Sequence, residues 1–355
     1  MTRLPLRPAV AIWLLAAAPI AARAAPAADD DLPRATFSER IDVVRVVFDV
    51  RVVDGLGRPS TGLDADDFRV RLDGEPAAVE AADWIDGESE EGWLRDDLES
   101  HQARDEAAAF GLPELPAPRV VYFFQAGLAP GKAIGHLRML RRLRERVHEL
   151  PEETLAAVVG FHSHLSVYQD FTLDRDALAE AMYYGHGYHP AEMPAPPESG
   201  PSLARHLDAR RAKKIAFVDD ALAEVTRAIA AEPGRASIVF VGWGLELEEE
   251  LYAALFAART PLHVLDVTDA DYHTLEHGLR YVADVTGGSY SNTRAFPDRE
   301  VAKVQTLLSS GYYRLTVVRE RLANSTPTVD VRLRDWTRYQ KVLAPDYLDL
   351  EPGGR

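Results

Sequence analysis

The chain has 355 residues, 46% of them hydrophobic, and a formal net charge of −16. That length is enough for a sizeable core and for two domains of roughly 100–200 residues each. The acidic balance disfavours nucleic acid and anionic membranes as partners, because both are polyanions. The chain contains no cysteine, which excludes disulfides, thiol chemistry, Cys-ligated zinc and a lipidated N-terminal cysteine.

Residues 1–24 read as a secretory signal peptide. Arg3 and Arg7 form a positive start, Ala9 to Ala18 is an apolar run, and Ala22-Arg23-Ala24 fits the small-x-small cleavage pattern, with cleavage after Ala24. The run is well short of the ~20 residues a membrane span needs, and no later stretch is long and apolar enough, so the expected location is periplasmic or extracellular. Residues 25–37 are small, polar and acidic, the composition of a disordered tether.

Residues 38–85 read as an N-terminal β module. Val44, Val46, Phe48, Val50 and Val52 alternate with Arg45, Asp49 and Arg51, the period of a half-buried strand. Asp54 to Pro59 is a turn, Leu63 to Phe68 one short helical turn, and Phe68, Val70 and Leu72 a second strand. Asp73-Gly74 is a hairpin signal leading into a third strand, Ala77 to Ile85. Residues 86–118 are acidic, poor in aliphatic side chains and closed by Pro113, Pro116 and Pro118, and read as a linker.

From Arg119 the pattern changes to alternating strands and helices, which defines an α/β class. Val120 to Phe124 is a buried strand, Gln125 to Gly131 a turn of small residues, and Ile134, Leu137, Leu140, Leu143 and Val147 mark the stripe of a helix. Leu155 to Phe161 and Leu165 to Phe171 are neighbouring strands joined at His162-Ser163-His164. A helix over Thr172 to Tyr184 and a Gly-, His- and Pro-rich loop follow, then one long helix over Leu203 to Ala231. Ser237 to Val241 and Pro261 to Val267 are further strands, with helices at Glu246 to Ala258, Asp271 to Val285 and Pro297 to Leu308. Tyr312 to Asp346 returns to short β segments, which would be marginal alone and are expected to pair with the N-terminal strands.

The segment VRVVDGLGRPSTGLDADDFRVRLDGEP resembles the opening module of the bacterial von Willebrand factor type A-related proteins. Gly57, Pro59, Gly62, Leu63, Asp67, Phe68, Asp73 and Gly74 stand at the matching places. The resemblance extends through TPLHVLDV, the helix before Thr286-Gly287-Gly288, and GYYRLTVV. It implies a Rossmann-like, doubly wound sheet at 119–310. The β strands on either side, with the last at 311–355, would form a small β sandwich.

The resemblance also implies a place for Mg²⁺, and this chain departs from it. Such domains ligate the ion with an Asp-x-Ser-x-Ser turn after the first strand, a Thr, and an Asp after the fourth strand, because Mg²⁺ requires hard oxygen ligands in an octahedron. Here Gln125, Gly127 and Ala129 stand in the turn and Trp243 at the later strand. Only Ser199 or Ser202 is available for the Thr. The expectation is a degenerate site that binds no metal and no cofactor. The crevice is then either a contact surface for a protein partner or filled by its own side chains.

Two other motifs compete. AGLAPGKA (Ala126 to Ala133) nearly matches a phosphate-binding loop, with Lys132 at the helix start, but Ala133 replaces the hydroxyl that would ligate Mg²⁺. His273-Thr274-Leu275-Glu276-His277 matches an inverted zinc-protease pattern. On a helix His273 and His277 would share a face, with Glu276 beside them. His186, His189 and Glu192 form a loop cluster compatible with an adventitious transition metal, and Tyr183, Tyr184 and Tyr188 would suit a binding loop. The sequence therefore predicts an exported, non-enzymatic protein-binding module, with a zinc-dependent hydrolase as the alternative.

Overall fold

The computed structural model describes residues 44–85, 117–127, 130–185, 191–320, 322, 324–335 and 340–348. The expected signal peptide, the tether at 25–37, nearly all of the linker at 86–118, and Ala129, His186, Tyr188 and His189 lie outside these residues. Among the described residues no helix is long and apolar enough to cross a membrane. Residues 42–355 cluster as one unit.

Alternation makes the first strand, β1 (Val44–Val53): Val46, Phe48, Val50 and Val52 enter one hydrophobic cluster, while Val47, Asp49 and Arg51 face the other way. A short 3-10 turn (Ala65–Asp67) is capped at both ends of a capping box by Asp64 and Asp67. It leads into β2 (Phe68–Leu72), and Asp73-Gly74 turns the chain into β3 (Glu75–Ile85). Both turn residues have positive φ, 52° and 78°, the geometry of the tight hairpin turn that Asp-Gly favours.

The α/β region runs β4 (Arg119–Gln125), α1 (Pro130–Arg146), β5 (Leu155–Phe161), β6 (Leu165–Thr172), α2 (Arg175–Gly185), α3 (Leu203–His206), α4 (Ala209–Ala212), α5 (Val218–Ala230), β7 (Ala236–Gly242), α6 (Glu249–Ala258), β8 (Leu262–Asp266), α7 (Glu276–Val285), β9 (Ser289–Asn292) and α8 (Pro297–Ser309). The sheet order is β6-β5-β4-β7-β8-β9, parallel throughout except for the β5–β6 hairpin. Every residue of β4 is buried. Val121 and Phe123 pack with Leu222, Val225, Leu255 and Leu279 on one face, and Val120, Tyr122 and Phe124 with Met139, Leu143, Met182 and Val301 on the other. Helices thus cover both faces, and the α/β class expected from the sequence is the one adopted.

Three local expectations are corrected. The single helix over Leu203 to Ala231 is three: Ser202 caps α3, Asp208 caps α4 by accepting the N–H groups of Arg210 and Arg211, and α5 begins only at Val218. The helix expected from Asp271 starts at Glu276. On α1 the buried face is Gly135, His136, Met139, Leu140 and Leu143, continued by Val147 in the 3-10 turn that follows, leaving Ile134 and Leu137 more than half exposed. Gly135 sets this rotation, because a Cβ there would lie 1.9 Å from the carbonyl oxygen of Val267.

The chain then closes the first sheet with β10 (Tyr312–Arg319), β11 (Val329–Leu333) and β12 (Lys341–Leu343). β10 lies antiparallel between β1 and β3, and the order is β11-β2-β3-β10-β1-β12. The expected sandwich of two sheets is corrected to one six-stranded sheet whose end strands β11 and β12 approach each other. Tyr313 ties the N-terminal segment to it. Its hydroxyl accepts the Leu63 N–H at 3.0 Å and donates to Ser60 O at 2.9 Å, and its ring packs edge-on against Phe68 and Trp84.

Candidate functional site

Open α/β sheets present a ligand crevice at the carboxyl ends of their strands, where the strand order reverses. That point lies between β4 and β7, which pair directly although β5 and β6 separate them in sequence. Gln125 ends β4 and Trp243 follows β7. The two meet. Gln125, 3% exposed, accepts the backbone N–H of Trp243 at 2.8 Å and of Gly244 at 3.0 Å on its Oε1.

The indole N–H of Trp243 donates to Ala126 O at 3.3 Å, and the Lys132 ammonium lies 2.9 Å from the centroid of the Trp243 rings. Gly127 fits under both side chains: a Cβ there would lie 2.9 Å from Lys132 Cβ and 3.0 Å from the indole nitrogen. Burial pushes the Lys132 pKa down, while the π face beneath it favours the charged ammonium. The crevice is therefore occupied by the chain's own groups.

These residues do not fit Mg²⁺. Of the side chains of Gln125, Gly127 and Trp243, only Gln125 supplies an oxygen, and that oxygen already accepts two N–H bonds. A lysine cation sits where a metal would need anionic oxygen. Ser202, the candidate hydroxyl, is fully buried elsewhere. It donates to Asp170 at 2.6 Å and accepts the Arg205 N–H at 3.1 Å, while Ser199 is exposed in its loop. The same stacking takes Lys132 out of the phosphate-loop arrangement.

Beside the crevice, at the end of β8, lies a constellation that sequence reasoning missed. Asp266 is fully buried. Its Oδ1 accepts the Thr268 N–H at 3.0 Å and hydroxyl at 2.7 Å, and its Oδ2 pairs with His273 Nε2 and accepts the Tyr290 hydroxyl, both at 2.7 Å. Burial and then the Asp266 carboxylate push the Tyr290 pKa up. The two hydroxyls and the imidazole all point at one carboxylate, so the set anchors the segment after β8 and leaves none of these groups poised as a nucleophile. The available signal was one carboxylate closing the apolar run PLHVLDV.

The helical histidine pair is corrected by the same geometry. His273 precedes α7 and binds Asp266, whereas His277 Nε2 contacts the exposed Tyr272 hydroxyl at 3.0 Å. Glu276 is buried and accepts the Arg280 Nε–H at 2.6 Å. His162 and His164 flank Ser163 at the β5–β6 turn, each with Nδ1 near its hydroxyl, at 3.2 and 3.1 Å. Among the described residues no group of three or more His, Asp or Glu is placed to hold a metal ion.

No family model matches the chain, and no curated protein matches it. Among solved structures it is similar to the human COPII-coat protein Sec24c, at 9% identity over 66% of this chain and 44% of that one, with a TM-score of 0.37. It is similar to a von Willebrand factor type A from Catenulispora acidiphila, at 10% identity over 87% of this chain and 74% of that one, TM-score 0.38. It is also similar to the conserved hypothetical protein BatB from Bacteroides thetaiotaomicron, at 12% identity over 52% and 98% of the two chains, TM-score 0.32. The chain spans less than half the length of Sec24c. At these values the likenesses assign no residue a role.

Proposed function

We propose that the chain is an exported, non-enzymatic protein-binding module of the von Willebrand A-related type, with a doubly wound sheet and a degenerate metal site. Its contact surface is the outer rim of the carboxyl-edge crevice, at the positions proposed from the sequence (Gln125, Gly127, Ala129 and Trp243), where half-buried Trp243 and Lys132 are the groups open to a partner, and it works without Mg²⁺. The observation that carries this reading is the Lys132 ammonium on the Trp243 ring above a Gln125 carboxamide committed to two backbone N–H groups. A cation and a saturated amide stand where a metal-dependent domain needs open carboxylate and hydroxyl oxygens.

The rim supports contact with a protein. Ile134 and Leu137 are 53% and 55% exposed on α1 just after the crevice turn, and Leu137 and Tyr183 line one groove between α1 and α2. Apolar and aromatic side chains clustered with arginines, here Arg141 and Arg144 in the same groove, are what an interface core uses. Export is supported by the signal-peptide pattern of residues 1–24.

The test places a photo-crosslinking residue at position 137, and separately at exposed Glu75 on the β sheet, in the full chain expressed in its own envelope. A discrete adduct from 137 that is absent from 75, survives chelation and is lost in Trp243→Ala supports the reading. Equal labelling from both positions, or an adduct abolished by chelation, contradicts it.

A further inference from the structure

The seam between the two sheets holds a cavity of about 510 Å³. It lies at the opposite end of the central strands from the crevice: Ala236 starts β7, Pro261 immediately precedes β8, and both line it. The facing wall is β1 and β10. On these strands Phe48, Val50 and Leu315 belong to the sheet's own core, so the alternate residues Asp49, Arg51 and Arg314 are directed at the seam.

The charge of this wall is opposite to that of the chain. Four arginines line the cavity, Arg51, Arg235, Arg259 and Arg314, with Asp49 as the one carboxylate among its lining residues, in a protein whose formal charge is −16. Asp49 is shared. Its Oδ1 lies 3.2 Å from Arg314 Nε and its Oδ2 3.5 Å from Arg235 Nε. Arg235 also stacks on Tyr312, 3.6 Å from the ring centroid.

Arg51 is the group this arrangement leaves short. It is 7% exposed, and its Nε is buried with no hydrogen-bond partner among the described residues. Burial and the neighbouring Arg235 push its pKa down to about 10, which still leaves it charged at neutral pH. A buried guanidinium that makes no ion pair among the described residues is costly, and an anion in the cavity it lines offsets that cost by neutralising its charge. Most of the remaining side chains are apolar, among them Leu255, Phe256, Leu343 and Leu348, beside Thr260, Thr286 and Tyr347. The volume falls within the ~300–1,000 Å³ of small-molecule sites and exceeds what a bare ion fills.

We propose that the seam cavity is a binding site for a small organic carboxylate, with its anionic head on Arg51 and Arg314 and its apolar body against Leu255, Phe256 and Leu343. This site is independent of the crevice and of the protein-binding reading. Such a ligand touches both sheets at once, so it stabilises their joint as well as the cavity.

Octanoate, octan-1-ol and inorganic phosphate are titrated separately into the full chain by calorimetry, with melting temperature as a second readout. The expected result is saturable one-site binding of octanoate with a raised melting temperature, and neither effect from octanol or phosphate. Arg51→Met is expected to weaken octanoate binding at least about tenfold, as the loss of a charged anchor does. The unliganded Arg51→Met protein should melt no lower than the parent, because a buried unpaired charge has been removed. If Arg51→Met does melt lower, Arg314→Gln on the half-exposed rim decides, and must weaken octanoate by at least about threefold. Octanoate and octanol binding alike, phosphate binding as tightly as octanoate, or octanoate affinity unchanged in Arg51→Met or in a deciding Arg314→Gln each overturns the proposal.

Discussion

The side-chain oxygen of Gln125 accepts the backbone N–H of Trp243 at 2.8 Å and of Gly244 at 3.0 Å, so one carboxamide ties the end of β4 to the loop after β7. These two strands flank the reversal of strand order, where an open parallel sheet leaves backbone N–H groups without strand partners. The residue that would otherwise serve a ligand serves the fold. Gln125→Ala leaves both N–H groups unpaired in a buried place and is expected to cost about 2–4 kcal/mol in urea unfolding. Gln125→Glu keeps the acceptor and is expected within about 1 kcal/mol of the parent. A Gln125→Ala protein as stable as the parent would show that the bonds are incidental.

Gly135 and Gly127 provide a comparison of two close approaches. A Cβ at Gly135 meets the Val267 carbonyl oxygen at 1.9 Å, a backbone atom, whereas at Gly127 the nearest atoms belong to the Lys132 side chain at 2.9 Å. Alanine within a helix gains about 1 kcal/mol over glycine in propensity, so an unhindered Gly135→Ala would stabilise. The clash is expected to reverse that sign, with a net loss of about 1–3 kcal/mol. Gly127→Ala is expected to cost less, because its closest contact, Lys132 Cβ, lies at 2.9 Å rather than 1.9 Å and a shift of a few tenths of an ångström in Lys132 and the Trp243 indole relieves it. Thermal melts of the two variants check the order, and a stabilised Gly135→Ala would contradict the close packing of α1 on Val267.

Asp266 accepts four hydrogen bonds from Thr268, His273 and Tyr290 while fully buried. Asp266→Ala strands those donors and is expected to cost about 3–5 kcal/mol. His273→Ala should destabilise by about 1–3 kcal/mol, and His277→Ala, whose partner Tyr272 is exposed, by less than about 0.5 kcal/mol. That asymmetry, read from urea curves, separates a structural His273 from a pair of equivalent zinc ligands. Equal effects of the two histidine substitutions, together with stoichiometric zinc in the purified protein, would restore the hydrolase alternative.

His263 sits fully buried on β8 with Nδ1 on the Ser289 hydroxyl at 3.0 Å. Burial, then Arg51 and Lys303, push its pKa down to about 3. The unfolded chain takes up this proton near pH 6.5 and the folded chain only near its depressed value, so between those limits the unfolded state holds more protons. The contribution is therefore fully present above pH 6.5 and is lost as pH falls, by an amount on the order of 4 kcal/mol across the window. His263→Leu is expected to flatten the acid side of the stability profile measured by urea unfolding between pH 4 and pH 7. An unchanged slope would place the acid sensitivity elsewhere.

The sequence was most legible where one periodicity acts alone. β4 reads as buried because five apolar residues follow one another, and β1 because its alternation is regular. The crevice turn was located by strand, small residues and helix in order, and the pairing of the C-terminal strands by their inability to stand alone. Legibility failed where a tertiary contact overrides local pattern. Ile134 and Leu137 look like core on a helical wheel, but the approach of Gly135 to Val267 rotates them outward. The stretch from Leu203 to Ala231 is helix-forming throughout, yet the cap at Asp208 and the extended Phe217 before Val218 divide it. His273 and His277 have helical spacing, but Asp266 draws His273 off the helix axis before α7 begins. Arg119 shows the same limit: nothing local marks it as a capping group, yet its guanidinium binds the carbonyls of Ile229, Glu232 and Gly234 at the end of α5.

The measurement that bears most directly on a metal-independent crevice is calorimetric titration of the full chain with Mg²⁺, paired with melts in chelator and in excess Mg²⁺. A ligand that binds only the folded state must raise the melting temperature. With Gln125 saturated by Trp243 and Gly244 and with Lys132 on the indole, the expected result is no binding heat and identical melts. Saturable Mg²⁺ binding with a raised melting temperature, lost in Gln125→Ala, would contradict this account.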